Sequence, residues 1–182
     1  MKFPTAFYFS DETRGSDPLE QSRILPQDTG IIYRHYNFAG RFNLAARLSK
    51  SCRKRQIPLF IAKTPGLAAA IGAAGCHLPE NFIPMIPAIR RRFPQLYVSA
   101  ACHSEIAVKA AVQAGADLLF LSSIFPTKSH PGEKVLGLLS GARLARSTAL
   151  PVFALGGISP QRLNAISAAG FAGFGAISYF EN

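Results

Sequence analysis

Short, β-prone apolar runs alternate along the chain with segments whose apolar residues recur at helical spacing. The apolar runs predict eight strands, at residues 6–10, 30–33, 58–62, 76–78, 96–101, 117–125, 151–155 and 171–177. Strands that alternate with helices favour a parallel sheet, and eight of them in unbroken order favour a closed barrel over an open sheet. We therefore expect a compact α/β fold, the (β/α)8 TIM barrel.

Helices are predicted between these strands, but the first and the last are incomplete. Helical spacing covers residues 42–55, 65–74, 82–93, 104–114, 135–146 and 161–170, whereas residues 17–27 form only a weak, short helical or loop segment. The sequence stops just after the eighth strand, so we expect the final helix to be absent. Both gaps leave apolar barrel surface uncovered, and we expect a second copy of the chain to cover it in a homo-oligomer.

Length and composition indicate one globular domain, residues 1–182. A barrel usually needs about 250 residues, so we expect this one to have shorter helices and loops than usual. The chain is 48% hydrophobic and 16% charged, which excludes a disordered protein. Its three cysteines show no CxxC spacing, which indicates reduced thiols and a cytoplasmic setting. No apolar run approaches the roughly 18 residues of a membrane span, so we expect no contact with a membrane interior.

The charge balance narrows the class of partner. Twenty Lys and Arg residues against ten Asp and Glu give a net charge of +10, which favours anionic partners such as phosphorylated metabolites, nucleic acid or an acidic membrane surface. The chain has no stripe of basic and aromatic residues and no nucleic-acid-binding motif. A phosphorylated small molecule is therefore the expected partner, and we do not expect the chain to bind nucleic acid.

A glycine turn in the last third of the chain predicts a phosphate site. The seventh strand breaks at Gly156 and Gly157, Ser159 follows as a helix N-cap, and Ser178 ends the next strand. Paired glycines allow backbone N–H groups to approach an anion, and a helix start adds its positive dipole end. Barrels commonly build their phosphate site from the loops after strands seven and eight. A tight turn without a ligand is the alternative, and Ser178 favours the phosphate site.

Polar side chains follow most of the predicted strands, and in a barrel these strand ends form the active site. They are basic and rich in hydroxyls: Asp11, Arg34, Lys63, His77, Glu80, His103, Ser122, Ser123, Thr127, Ser129, His130, Gly157 and Ser178. His77 lies in a very short strand, and we expect it to be a hydrogen-bonded interior histidine rather than a base. A cluster in the sixth loop, Lys128, His130 and Lys134, is either a solvated loop or an anion site.

Several sequence motifs resemble the thiamine phosphate synthase family, including its TenI-type thiazole tautomerases. The matching stretches are GCHLPE (75–80), the HSE helix start (103–105), GADLLFLSSIFPTKSH (115–130), GLL (137–139), LPVFALGGISPQRLNAISAAG (150–170) and GFGAIS (173–178). The resemblance implies a (β/α)8 barrel that acts on thiazole phosphate. In that family a pyrimidine pyrophosphate ionises and the thiazole nitrogen captures the carbocation, while magnesium and basic residues hold the pyrophosphate.

At the phosphate-binding positions of the family, this sequence carries matching residues. It assigns Gly157, Ile177 and Ser178, with Gly156 beside them, to the phosphate of the thiazole. Thr127 and Ser129 match the two hydroxyl residues of the family's PTxTK loop. These six residues are the expected ligand-binding set.

At the catalytic and metal-binding positions of the family, this sequence carries several different residues. Its candidate catalytic residues here are Arg34, Lys63, His103 and His130. His130 replaces the lysine of the PTxTK loop, and Ser123 replaces the histidine that the tautomerases use. Lys63 and Phe82 stand where the family has its two magnesium ligands. Magnesium therefore stays open as a cofactor, and no cofactor is certain.

Two hypotheses about function follow. The chain is a divergent synthase-like transferase of thiamine biosynthesis or salvage, or it is a non-catalytic binder of a phosphorylated ligand that has lost the magnesium site. In either case Lys63 has two readings. As a fixed positive charge it would repel magnesium and contact an anionic ligand directly, or it would simply extend into solvent from a disused site.

Overall fold

Eight parallel strands close into a barrel in chain order, with β8 pairing back onto β1. The computed structural model describes residues 3–13, 16–127, 132 and 135–180. The strands are β1 (Ala6–Phe9), β2 (Thr29–Tyr33), β3 (Leu59–Ala62), β4 (Gly75–Leu78), β5 (Tyr97–Cys102), β6 (Leu118–Leu121), β7 (Val152–Leu155) and β8 (Gly173–Ala176). The predicted TIM barrel is confirmed.

The strand predicted at residues 117–125 is too long, because β6 ends at Leu121. Beyond it, Ile124 N donates to Leu155 O (2.9 Å) and Phe125 N donates to Gly156 O (3.2 Å). These bonds tie the chain to the last residue of β7 and to the turn that follows it. The apolar run therefore continues past the strand and forms part of the barrel mouth.

The described residues form seven α-helices, which connect the strands. They are α1 (Pro18–Ile24), α2 (Arg41–Arg55), α3 (Pro65–Ala70), α4 (Ile86–Arg92), α5 (Glu105–Ala114), α6 (Leu138–Arg146) and α7 (Leu163–Ala168). None of the helices in the described part of the chain is long and apolar enough to cross a membrane. The three cysteines are free and buried, and burial raises the pKa of each thiol to about 12.

Several predicted helices are shorter than their apolar pattern. The helix predicted at residues 65–74 ends early because Gly72 adopts a φ of +63° and Ala73 N donates back to Ala68 O. The helix predicted at 135–146 starts only after Gly137, whose φ is +80°. These glycines set the helix ends, because an L side chain rarely adopts a positive φ.

The helix predicted at residues 82–93 also differs from the prediction. Its first part is a 3₁₀ helix, Glu80–Met85, and only then does α4 begin. Pro84 and Pro87 lack the backbone N–H that a continuous α-helix needs in its interior. The proline spacing therefore decides the geometry here, although the apolar residues fit a single helix.

The short helical segment expected at residues 17–27 is present as α1, seven residues long. The Asp17 carboxylate accepts from Leu19 N (2.9 Å), and Pro18 occupies the first helical position. Ser22 is buried and its hydroxyl lies 2.6 Å from that of Ser51 on α2. Capping and this packing offset the poor helical pattern.

In the described residues β8 is followed only by a 3₁₀ turn, Ser178–Phe180. The homo-oligomer stays a prediction.

Interlocked phenyl rings fill the inside of the barrel. The buried cluster includes Phe7, Phe9, Phe60, Phe120 and Phe153. Phe120 lies at its centre, with ring centroids 5.1 Å from Phe7, 4.9 Å from Phe9 and 5.3 Å from Phe153. Most of these contacts are edge-to-face, the arrangement that the ring quadrupole favours. A second apolar core lies between the strands and the helices.

His77 lies at the upper edge of the phenyl cluster and is an interior histidine, as its short strand predicts. Its ring packs 5.4 Å from both Phe9 and Phe120, and Nδ1 lies 3.0 Å from the hydroxyl of Ser99. Burial, reinforced by the charge of Arg34, lowers the pKa of His77 to about 3. The imidazole is therefore neutral over the physiological pH range.

Removing the central ring should cost much of the stability of the barrel. We expect Phe120→Ala to lower the free energy of unfolding by about 3–5 kcal/mol, because neighbouring rings can only partly fill the cavity. Chemical denaturation measures the free energy of unfolding of each variant. Phe42→Ala is the control, because Phe42 is 58% exposed on α2, and it should change stability by less than about 0.5 kcal/mol. Equal losses in the two variants would contradict the packing argument.

His77 should make stability depend on pH. Its folded pKa lies below that of the unfolded chain, so the unfolded state binds more protons between about pH 6.5 and pH 3. The free energy of unfolding should therefore fall as pH drops through this window, by up to about 1.4 kcal/mol per pH unit. Denaturation between pH 7.5 and pH 5 compares native protein with His77→Asn, in which this slope should shrink. Burial also lowers the pKa of His35, but that group is present in both proteins. Identical slopes would contradict the assignment.

Candidate functional site

A cavity of about 900 Å³ opens at the carboxyl ends of the strands. Its lining comes from the segments after β5, β6, β7, β8, β1 and β2, and among the described residues none comes from the ends of β3 and β4. The site is therefore built over six neighbouring strand ends. The predicted ligand-binding residues that line it are Thr127, Gly156, Gly157, Ile177 and Ser178.

The turn after β7 requires both of its glycines. Gly156 and Gly157 have φ values of +94° and +65°. A Cβ on Gly157 would lie 2.4 Å from Pro126 O, and one on Gly156 would lie 2.9 Å from the Cβ of Ser123. Arg162 donates to the carbonyl of Gly157, and its guanidinium lies over the Phe125 ring, 4.4 Å from the centroid. The turn is held tightly against the segment that follows β6.

The helix start expected after this turn is different. Ser159 is extended and its side chain makes no capping hydrogen bond. A 3₁₀ turn, Pro160–Arg162, comes first, and α7 (Leu163–Ala168) has only six residues instead of the predicted 161–170. The dipole of so short a helix adds little, so any anion binding here must rest on the loop amides.

The wall next to the glycine turn comes from the end of β8. Ile177 and Ser178 line the cavity there, and Ser178 begins the terminal 3₁₀ turn with an exposed side chain. Thr127 lines the same cavity on the side of β6. Ser129 and His130, which complete the predicted set in this loop, lie outside the described residues. The glycine turn and the end of β8 (Gly156, Gly157, Ile177 and Ser178) therefore line one cavity. We call these four residues the predicted phosphate wall.

Arg34 lines the cavity after β2 and is held in place by β1. Its Nε donates to Ser10 O (3.0 Å), its Nη2 donates to the carboxylate of Asp11 (3.2 Å), and its backbone N donates to the Ser10 hydroxyl. The guanidinium also lies 5.5 Å from the centroid of the Phe9 ring. These contacts fix the positive charge at the cavity wall.

His103 lines the cavity after β5 and is anchored at two points. Its backbone N donates to the carboxylate of Glu80 (2.7 Å), and its Nδ1 lies 3.0 Å from the carbonyl oxygen of Ser122. Since a carbonyl only accepts, Nδ1 carries the proton in this contact. The neutral ring then has its lone pair on Nε2, which suits it to accept or relay a proton.

Lys63 ends β3 and does not line the cavity. Its side chain is exposed, and Nζ lies 4.2 Å from the centroid of the Tyr36 ring, which does line the cavity. Lys63 also has a φ of +64°, an uncommon conformation for a residue other than glycine. A direct contact between Lys63 and the ligand stays a prediction.

The donor set at the two family positions does not fit magnesium. Lys63 offers an ammonium group, and Phe82 offers a phenyl ring that packs against the outer core from the 3₁₀ helix. Magnesium prefers carboxylate, phosphate and water oxygens. Within the described residues, no three His, Cys, Asp or Glu side chains lie close enough together to hold a metal ion.

After β1 the sequence analysis named Asp11 but missed its neighbours Glu12 and Thr13. Glu12 and Thr13 line the cavity beside Asp11, whose carboxylate accepts from Thr13 N and from the Thr13 hydroxyl. Glu12 is exposed and accepts from Asn37 N (3.2 Å). The signal in the sequence was a pair of carboxylates, Asp11 and Glu12, directly after β1. Glu12 could have been found there, because barrel strand ends point into the active site.

Comparison with known proteins gives a consistent result. The model of the thiamine monophosphate synthase family (TMP-TENI) matches residues 25–180. A protein of Aquifex aeolicus named "Putative thiamine-phosphate synthase 2" is 34% identical over 186 residues, which cover 99% of each chain. A thiamine-phosphate synthase of Nitrosococcus oceani is 34% identical over 180 residues, covering 88% of this chain and 82% of the relative.

Solved structures show the same fold. Thiamine phosphate pyrophosphorylase from Pyrococcus furiosus has a TM-score of 0.82 over 97% of this chain and 86% of its own, at 22% identity. The fold alone is not specific, because FabK from Thermotoga maritima also reaches 0.76 at 15% identity, covering 98% of this chain and 59% of its own. The sequence matches carry the assignment: the chain belongs to the thiamine monophosphate synthase family.

Proposed function

We propose that this protein binds a phosphorylated thiazole or pyrimidine in its cavity and acts, as a divergent member of the thiamine-phosphate synthases, in thiamine biosynthesis or salvage. The observation that carries the proposal is the cavity wall of Gly157 and Ser178 in a chain of this family. A left-handed glycine turn exposes backbone amides that suit phosphate oxygens. The ligand's phosphate binds there, and its ring extends into the cavity.

Two further side chains support an enzyme of the transferase type. Arg34 presents a fixed positive charge to the cavity, since Ser10 and Asp11 hold its guanidinium in place. His103 presents an imidazole whose proton position is set by Ser122. An anchored charge stabilises developing negative charge without reorganisation, and an anchored base accepts a proton in a defined geometry.

A second candidate is a binder without catalysis. The observation that favours it is the donor set at Lys63 and Phe82, which does not fit magnesium. The relatives are named synthases, and this favours the enzyme. The two candidates share the phosphate wall and differ only in turnover, so separate experiments test them.

Variants of the phosphate wall test ligand binding. Thiazole phosphate in hundredfold excess over its Kd should raise the Tm of native protein by about 5–10 °C. Ser178→Asp should abolish this shift, because it places a negative charge beside the bound phosphate. Gly157→Asp should do the same, but it also crowds Pro126. Ser178→Asp is therefore the decisive variant.

The matched controls lie on the outer helices. Ser140→Asp introduces the same charge at an exposed position of α6, and Gly66→Asp introduces it on α3, where a Cβ meets no atom within 4 Å. Both should keep the ligand-induced shift. Equal shifts in native protein and Ser178→Asp would contradict the proposed phosphate wall.

A product assay separates the two candidates. Native protein is incubated with thiazole phosphate and the pyrimidine pyrophosphate of the family reaction, with magnesium and with EDTA, and thiamine phosphate is measured. Product formation that falls at least about tenfold in Arg34→Gln supports the enzyme, because a hydrogen bond to a charged group is worth about 1.5–3 kcal/mol and about 1.4 kcal/mol is tenfold in rate. Binding without product in either condition supports the non-catalytic binder.

A further inference from the structure

The glycine turn after β7 is held from behind through its carbonyl oxygens. The oxygen of Gly156 accepts from Phe125 N (3.2 Å), and the oxygen of Gly157 accepts from the guanidinium of Arg162. Both glycines line the cavity, whereas neither Phe125 nor Arg162 is among the described residues that line it. The two carbonyl groups are therefore engaged with residues that lie behind the cavity lining.

Covalent geometry then fixes where the next two backbone N–H groups point. In a planar trans peptide the N–H points in the direction opposite to the carbonyl oxygen. The Gly157 N–H shares a peptide group with the oxygen bound by Phe125, and the Ile158 N–H shares one with the oxygen bound by Arg162. Since Gly157 and Ile158 both line the cavity, their N–H groups point away from these partners and towards the cavity.

The N–H groups of Gly157 and Ile158 have no hydrogen-bond acceptor among the described residues. Backbone N–H groups are rarely left without a partner, so a pair of them at a cavity indicates a place for a ligand or water. The φ values of Gly156 and Gly157 (+94° and +65°) produce the turn that brings the two groups together. Successive N–H groups in such a turn form a concavity that suits an anion.

Arg162 is itself held in a defined orientation. It ends the 3₁₀ turn Pro160–Arg162, its backbone N donates to Ser159 O (3.0 Å), and its guanidinium lies 4.4 Å from the centroid of the Phe125 ring. The planar guanidinium therefore stacks and donates at the same time, which the compact ammonium of a lysine reproduces only in part. Rotation of the peptide between Gly157 and Ile158 would break the hydrogen bond to this anchored group.

We infer that Arg162 is a positioning residue of the phosphate wall, and that it directs the N–H of Ile158 to the ligand's phosphate as a donor beside the N–H of Gly157. The inference rests on the proposed phosphate wall and adds a donor to it. A peptide next to a glycine rotates at little steric cost. Without Arg162, the Gly157 carbonyl oxygen is free to turn into the cavity, where its partial negative charge would repel a phosphate.

A phosphate titration followed by NMR tests the donor directly. Inorganic phosphate is added to isotopically labelled native protein. The amide protons of Gly157 and Ile158 should both shift downfield as the site fills, because each donates a hydrogen bond to an anion. In Arg162→Met the shift of Ile158 should be largely lost. A native protein in which Gly157 shifts but Ile158 does not would overturn the inference.

The dissociation constant for phosphate measures the effect of Arg162. Arg162→Met should raise this Kd by about five- to thirtyfold, because it frees the peptide that follows Gly157. Arg162→Lys keeps one donor at this position and should recover part of the affinity. Arg146→Met is the matched control, since Arg146 is exposed on α6, donates to Ala168 O (3.5 Å) and does not line the cavity. This control should change the Kd by less than about twofold.

Salt separates anchoring of the peptide from a long-range effect of charge. At about 1 M salt the Debye length is only about 3 Å, so attraction through space is screened whereas a hydrogen bond is not. The loss of affinity in Arg162→Met relative to native protein should therefore persist at this salt concentration. A loss that disappears would show that Arg162 acts by its charge alone, which contradicts the positioning role.

The outcomes separate this inference from the proposal on which it depends. If native protein does not bind phosphate, or if Ser178→Asp leaves its binding unchanged, the phosphate wall is wrong and the inference with it. If phosphate binds at the wall and Arg162→Met keeps the native Kd and the Ile158 shift, the inference alone is wrong. A fall in the free energy of unfolding with an unchanged Kd would likewise show a purely structural role. If Arg162→Met does not fold, Arg162→Lys takes its place, with a smaller loss of the Ile158 shift expected.

Discussion

The contact between β1 and β8, the strands furthest apart in sequence, closes the barrel, and the site depends on it. Phe174 N donates to Thr5 O (3.0 Å), and Tyr8 lies opposite Ala176. Two glycines make this approach feasible, since a Cβ on Gly173 would lie 1.9 Å from Thr5 O and one on Gly175 would lie 2.6 Å from the Phe9 ring. Closure brings the cavity-lining residues that follow β1 next to those that follow β8.

Much of the fold could be predicted because it follows from local pattern. The eight apolar runs, the left-handed turn at Gly156 and Gly157, and the interior position of His77 each have a signal in a few consecutive residues. Errors arose where another contact outweighed the pattern. Gly72 ended one helix early, Gly137 delayed the start of another, and the prolines at 84 and 87 produced a 3₁₀ segment.

The candidate site could be predicted only in part, for a geometric reason. The sequence indicates which residues follow strands, but not which strand ends share one cavity. Lys63 and Glu12 both follow strands closely, yet Glu12 lines the cavity and Lys63 lies behind the ring of Tyr36. That difference depends on the direction of each chain segment as it leaves the barrel.

The close packing of the glycine turn has a consequence for how such a site can change during evolution. Gly157 leaves no room for even one added carbon, because its backbone lies against Pro126, so almost any substitution there would disturb two loops at once. The Lys63 side chain is exposed, and a replacement at that position changes chemistry without unpacking the barrel. Substitutions are therefore poorly tolerated at the glycine turn and better tolerated at the end of β3. A barrel of this construction can change the side chains at one side of its mouth while the backbone of the glycine turn stays the same.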